Sequence, residues 1–501
     1  MYRPNRAALV LSLCLASPLV LVGRSLVRAE ERPPLGDYIV LSWNDLGMHC
    51  MNETHEKFSI LPPYNNVYAQ LIQRGDANNL PQVINEGVTR EYSIPGNTYS
   101  VGNTDFWTYA FDLFGVNLPD DVGLTGKGLT GELDPVSGRF VAEGVPLTPF
   151  PDATPTTEDP YQQAEIIARD GVGTILAESA PVLPVSTELR CVSSGCHSSE
   201  QAILNQHEDE QGFDPNDTPI LCASCHASPA LGTQGNQEAG YFSRRIHDKH
   251  DFLDETLPGI DGCYKCHPGV HARCLRGTMG TDFGLECQDC HGNMRNMART
   301  IEQGRIPWLN EPRCETCHTS QFGEEPGQLY RLSTGHGGVM CSGCHNSPHA
   351  IYPSGLDRDN ANVVSLQGSA GTLSDCTVCH GVTPNGAGPH GIMSTSGVPE
   401  EGNGLEAEIL SGVQQITIAP NPVVDSARFS IPAGEGDEGK LLVFDASGRT
   451  LALFKPHRAG DGSLFVEWQG EGRKGEQVGP GVYFVRWQNG VRKAGGKVVV
   501  R

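Results

Sequence analysis

Cys222-Ala-Ser-Cys225-His226 is followed by Cys263-Tyr-Lys-Cys266-His267, Cys287-Gln-Asp-Cys290-His291, Cys314-Glu-Thr-Cys317-His318, Cys341-Ser-Gly-Cys344-His345 and Cys376-Thr-Val-Cys379-His380. A wider copy, Cys191-Val-Ser-Ser-Gly-Cys196-His197, stands ahead of them. We number the seven copies 1 to 7 in chain order. Histidine makes up 17 of 501 residues, so chance would put one after a given cysteine about one time in thirty. Seven in seven requires a chemical reason.

Paired cysteines alone are compatible with zinc or with structural disulfides, but neither needs a histidine directly after the second thiol every time. Covalent haem does. Two thiols about one turn apart add to two vinyl groups of the porphyrin, and the adjacent histidine reaches the iron. The expected cofactor is therefore about seven haem c groups with proximal ligands His197, His226, His267, His291, His318, His345 and His380. The seven motifs occupy 190 residues, about 27 per haem, too few for a protein core around each. The haems are expected to form much of that core themselves.

Residues 189–395 also hold seven histidines outside the motifs: His207, His247, His250, His271, His336, His349 and His390. They are the candidate distal ligands, and the matching count predicts bis-histidine iron, which suits electron transfer rather than substrate binding. Met279, Met294, Met297 and Met340 are alternative ligands, although methionines more often pack. His49 is a further distal candidate from outside the array, with His55 nearby, and His457 is expected at the surface. Of the 17 cysteines, 14 belong to the motifs and Cys14 lies in the N-terminal apolar run expected to be removed; Cys50 and Cys274 remain and are expected to pair as a disulfide in an oxidising compartment.

That compartment is suggested by the N-terminus. A basic Met1–Arg6 precedes an apolar run from Ala7 to Gly23, and Val27-Arg28-Ala29 reads as a cleavage site, so residues 1–29 are expected to be a signal peptide. No later segment is long and apolar enough to span a membrane. Removing residues 1–29, which carry four arginines and no acid, takes the net charge from −23 to −27. Such a surface repels nucleic acid and anionic lipid. The expected location is exported: periplasm, outer-membrane surface or extracellular.

Composition divides the rest. Residues 30–188 hold strand-like runs such as Tyr38–Ser42 and form a β-rich N-terminal region; 189–395 form the multihaem region; 396–413 are a Gly- and Glu-rich linker. Residues 414–501 alternate apolar and polar residues, with Ser447-Gly448 and Asn489-Gly490 predicting hairpins of a small β-sandwich.

The array resembles the multihaem cytochromes c, some of which use both motif spacings, as class III members do. The resemblance covers about 200 residues and implies close haem stacking, low potentials and little regular structure. Trp43-Asn-Asp-Leu-Gly-Met-His-Cys50 resembles a segment at the front of other large exported multihaem proteins. The tail, with Ala419-Pro-Asn-Pro422, Val443–Arg449, Trp468–Glu471, Gly479–Val485 and Lys497–Arg501, is similar to flagellar hook-capping Ig-like domains and to type IX secretion sorting domains. The fold class expected is multidomain: an irregular, mainly coil and short-helix multihaem domain, preceded by a β-rich region and followed by an Ig-like β-sandwich.

The leading functional expectation is a non-enzymatic extracytoplasmic electron carrier serving redox partner proteins or an external acceptor. One alternative is a multihaem oxidoreductase of small nitrogen compounds with one open iron. Another is a surface cytochrome filament subunit, a homo-oligomer. Intact mass is expected to show seven haem additions on a chain starting at Glu30, two hydrogens lighter if Cys50 and Cys274 are joined. Six haems would leave the Cys191 site empty, and two or fewer would refute the haem reading.

Overall fold

The computed structural model describes residues 34–207, 213–236, 238–318, 322–325, 327–385, 388–391, 414–431, 439–445, 450–460, 463–472, 477–479, 481–489 and 493–500. The signal peptide, the linker and the turn residues Ser447, Gly448 and Gly490 lie outside them.

The N-terminal region is built on two antiparallel sheets. In the first, strand Tyr38–Trp43 pairs with Asn65–Gln73, which pairs with Arg139–Val145, which pairs with Asp134–Val136; Gln82–Ile84 also pairs with Asn65–Gln73. In the second, the order is Ile175–Ser179, Glu165–Asp170, Val88–Ser93, Gly131–Glu132. Side chains alternate across a strand, and here both faces of the first sheet are buried. Val40, Val67, Ala69, Leu71, Phe140 and Ala142 enter the region's own core with Ile166, Ala168, Leu183 and Val185. Ile39, Leu41, Trp43, Tyr68, Ile72 and Val141 enter a second cluster with Met340, Leu366 and Val378 of the array. The continuous apolar run Tyr38-Ile-Val-Leu-Ser-Trp43 is thus a doubly covered strand.

The array is fastened to this platform by polar contacts as well. Arg74 donates from Nε to the Val378 carbonyl at 2.7 Å and from Nη2 to that of Thr377 at 2.9 Å. Strand Phe58–Ser59 pairs in parallel with Ile220–Leu221, immediately before Cys222. Strand His49–Cys50 pairs with Val185 and Ser186. Beyond it, the Glu188 carboxylate accepts from the backbone N–H groups of Gly269, His271 and Ala272 at 3.0 to 3.3 Å. Arg276 is buried in a two-pronged pair with Asp359 at 2.6 and 2.9 Å and also donates to the Gly47 carbonyl.

The expected fold class is overturned. The described residues form six sheets, and the α-helices are short, the longest being the 11 residues Asp357–Gln367. The chain is β-rich rather than mainly coil and short helix. The large apolar clusters lie in the flanking sheets, and six of the seven motifs overlap a helical turn, the exception being the motif at 191–197, which is turn and bend. Cys222–Cys225, Ile260–Cys263, Cys287–His291, Glu315–His318, Cys341–His345 and Thr377–His380 are all helical. The β-rich N-terminal expectation fits.

The tail consists of a five-stranded sheet, ordered Gln414–Gln415, Lys493–Val500, Gly481–Gln488, Lys440–Asp445, Thr450–Phe454, and a four-stranded one, ordered Thr417–Ala419, Ala427–Ile431, Leu464–Trp468, His457–Arg458. Phe429, Leu441, Val443, Val466, Trp468 and Trp487 share one core between them.

Removing one partner of a buried ion pair leaves the other charge unpaired, at a cost of about 3–5 kcal/mol. Arg276→Ala is therefore expected to destabilise the protein by roughly that amount in a urea titration, far more than truncation of the exposed Arg295 in its pair with Asp251. Equal effects would mean that the Arg276 clamp does not hold the two regions together.

Candidate axial-histidine array

Among the described residues, six proximal histidines face a candidate distal histidine. The ring centres are 6.1 Å apart for His197 and His250, 6.2 Å for His226 and His207, and 6.1 Å for His267 and His247. They are 6.3 Å apart for His291 and His349, 6.1 Å for His345 and His390, and 5.9 Å for His380 and His336. Two imidazoles in direct stacking or hydrogen-bonded contact would sit closer. A metal–nitrogen bond of about 2 Å on each side, plus about 1 Å from nitrogen to ring centre, separates two axial imidazoles by about 6 Å. The donor set and its spacing therefore fit a haem iron between each pair. Zinc would need several ligands converging on one point; among the described residues no group of three or more His, Cys, Asp or Glu is so arranged.

The local structure also sets the tautomers. On helix Phe242–Lys249, His247 Nδ1 lies 2.6 Å from the Ser243 carbonyl, and at the helix end His250 Nδ1 lies 2.8 Å from that of Ile246, each four residues back. His349 Nδ1 lies 2.8 Å from the Leu46 carbonyl. A carbonyl only accepts, so each Nδ1 carries the proton and Nε2 keeps its lone pair for a metal. Burial pulls His267, His291 and His345 down to about 4, which keeps them neutral at neutral pH. Burial likewise raises the Cys266 and Cys341 thiols to about 11.

Three candidates lie elsewhere. His318 closes the turn Glu315–His318 and is near enough to His345 to lower its pKa. His271 is exposed, is tied through its backbone N–H to Glu188, and faces no proximal imidazole among the described residues. His49 is buried with its Nε2 2.7 Å from Asp45 Oδ1, and it too faces none of them. His55 packs on Phe106, with Nδ1 3.1 Å from Ser59 Oγ. His457 is exposed. Met340 is a core residue against Leu41 and Trp43.

Cys50 and Cys274 are both thiols in this structure. Cys50 is raised by burial, then by Cys274 and Glu188 beside it. Burial would raise Cys274 too, but the charge of the adjacent His349, the hydrogen bond with it, and the nearby Arg276 more than offset that.

Sequence reasoning missed the groups that position the candidate ligand His349: the Leu46 carbonyl, and Arg276 with Asp359 behind the neighbouring Gly47 carbonyl. A backbone carbonyl leaves no mark in a sequence. The one available signal was the unexplained segment Trp43–Cys50.

No family model matches the chain, and no curated protein does. Among solved structures, dimeric latent PorU from Porphyromonas gingivalis is similar over 17% of this chain and 9% of its own, with 22% identity and a TM-score of 0.15. PorZ, an essential bacterial surface component of the type IX secretion system of the same organism, is similar over 22% of this chain and 14% of its own, with 21% identity and a TM-score of 0.14. The chain thus corresponds to a small part of either protein, and likenesses at those TM-scores carry no argument here.

Asp45 is fully buried. Desolvation would raise its carboxyl, but His49, Asn66 and Arg331 outweigh it and hold the pKa below the ordinary carboxylate value. A lowered carboxylate pKa contributes stability above the unfolded-state value and loses it as pH falls through the folded one. Asp45→Asn is expected to cost about 1.5–3 kcal/mol at pH 7, and the gap to wild type should close as pH falls through 4 toward 2. A gap independent of pH would show that the carboxylate charge is not what the site uses.

Proposed function

We propose that the protein is an exported electron carrier that holds about seven haem c groups covalently and passes electrons between a redox partner and an acceptor. Six facing imidazole pairs at 5.9 to 6.3 Å carry this reading. When bound, haem supplies a one-electron couple at iron. The chain's residues do the rest. Each Cys pair would tether one haem, the histidine that follows it would ligate the iron, and at six motifs a second, facing histidine would serve as the other ligand. Carbonyls at 243, 246 and 46 keep three distal imidazoles in one tautomer. Closed coordination leaves an iron no position for a substrate, which favours electron transfer over catalysis at those six sites.

The reading includes a Cys50–Cys274 bridge and an exported location. Both rest on the thiol inventory and the N-terminal pattern. No helix among the described residues is long and apolar enough to cross a membrane. The C-terminal two-sheet unit is proposed as a sorting module, on the residue patterns of its strands and turns.

Purified protein is expected to be predominantly low-spin when ferric. When ferrous it should take up carbon monoxide slowly or not at all at six haems, because a histidine must leave first. Rapid uptake at most of the irons would discard the bis-histidine carrier.

A further inference from the structure

Four of the seven haem motifs belong to residues 191–310 and three to residues 311–391. Five of the six imidazole pairs lie within one of these two segments. His197–His250, His226–His207 and His267–His247 belong to the first, and His345–His390 and His380–His336 to the second. The sixth, His291–His349, takes one member from each.

Resting on the carrier reading above, we propose that the haem of motif 4, between His291 and His349, is the single joint between two blocks of haems, motifs 1 to 3 and motifs 5 to 7, and that the loop Trp43–Cys50 positions that joint.

The order within each block follows from shared segments. His207, which faces His226 of motif 2, lies ten residues past His197 of motif 1, at the end of the helix that begins at Glu200. His247 and His250 stand three residues apart on one helix and serve motifs 3 and 1, so those two haems hang from adjacent turns. The turn of motif 3, Ile260–Cys263, packs on that of motif 4, Cys287–His291. This runs 2–1–3–4. His349 then lies four residues beyond His345, which places motif 6 next. Motifs 6 and 7 are tied twice, because His336 precedes Cys341 by five residues and His390 follows His380 by ten, each serving the other's motif. Motif 5 joins at motif 6: Glu324 accepts from the Cys314 N–H at 2.9 Å, the Glu325 N–H donates to Ser333 Oγ at 3.3 Å, and the Ser333 carbonyl accepts from Cys341 N–H at 3.0 Å. The path is 2–1–3–4–6–7, with 5 as a branch at 6.

The N-terminal loop is shaped to this joint. Its Leu46 carbonyl holds His349 Nδ1. Gly47 has φ +84, and a Cβ there would meet Ser347 Oγ at 3.2 Å and His349 Cβ at 3.4 Å. Arg276 donates to the Gly47 carbonyl and is itself fixed by Asp359. A side chain at position 47 would be strained by the backbone and would push on the ligand.

The test begins with the mass of each purified variant, which reads haem loading separately from ligation; a chain without haem would fail the carrier reading itself. His349→Ala is expected to keep seven haems and to turn one high-spin by electron paramagnetic resonance. The same substitution in a Cys287→Ala/Cys290→Ala background, which lacks the motif 4 haem, should add no high-spin signal. A high-spin haem appearing in that background assigns His349 elsewhere and overturns the joint. Should the double-cysteine variant fail to fold, His349→Met keeps a ligand: one haem alone should rise in potential, as histidine–methionine iron does, and Gly47→Ala should shift the resonance of that same haem. Shifts spread over several haems, or confined to a different one, overturn the assignment. After a sub-stoichiometric electron pulse, redistribution between the two blocks should be independent of protein concentration in wild type and proportional to it without the motif 4 haem, while redistribution inside each block stays independent of concentration in both. A block-to-block phase that stays concentration-independent in that variant also overturns it.

Discussion

One strand holds the molecule together. Along Tyr38–Trp43, Val40 points into the N-terminal core while Ile39, Leu41 and Trp43 point into the array. The same division runs through the neighbouring strands, where Leu71 and Phe140 go one way and Tyr68, Ile72 and Val141 the other. At roughly 1.5–3 kcal/mol for each large apolar side chain fully buried, a face that carries tryptophan, leucine, isoleucine and tyrosine is a substantial anchor. It matters because the array has little apolar interior of its own: short helical turns and many glycines cannot bury enough surface. The sheet supplies the missing wall. Gly343, inside motif 6, sits so close that a Cβ would meet Leu41 at 3.2 Å and Trp43 at 3.4 Å.

With that wall in place, polar contacts can aim individual ligands. Arg74 reaches motif 7 through the carbonyls of its turn, Glu188 gathers three N–H groups of the loop at 269–272, and Leu46 meets His349. Each is a buried or half-buried hydrogen bond to backbone, the kind that is costly to leave unmade. A tethered cofactor needs such aiming. Covalent attachment fixes where a ring is anchored, but the orientation of the opposite imidazole depends on whatever its second nitrogen can bond. His247 and His250 solve this within their own helix, whereas His349 relies on a partner about 300 residues away in sequence.

The expectation of a mainly coil and short-helix multihaem domain failed for a related reason. It took the haems to form much of the core of that domain. The apolar clusters lie in the sheets on either side of the motifs, and six of the seven motifs overlap helical turns because an i to i+3 spacing of two thiols is a helical spacing. His49 shows the same limit at the level of one residue. Next to a cysteine and outside the array, it reads as a spare ligand, yet Asp45, four residues earlier and fully buried, claims its Nε2 at 2.7 Å.

What the sequence determined by itself is the local chemistry. Fourteen cysteines and seven following histidines fall within a few residues of one another, and a motif that short is complete in one dimension. The apolar run in residues 38–43 and the alternation in the tail likewise marked strands, because a short apolar run and a period of two are both written directly in the residue order. The seven spare histidines could be listed but not assigned, since any of them could in principle face any motif. Tertiary structure decided which imidazoles face each other: His207 faces His226, His250 faces His197, His349 faces His291, and His271 is left exposed. Those choices depend on how helices and turns pack against a doubly covered sheet, and on carbonyls such as that of Leu46. Packing geometry and backbone acceptors are the two things a residue list does not contain.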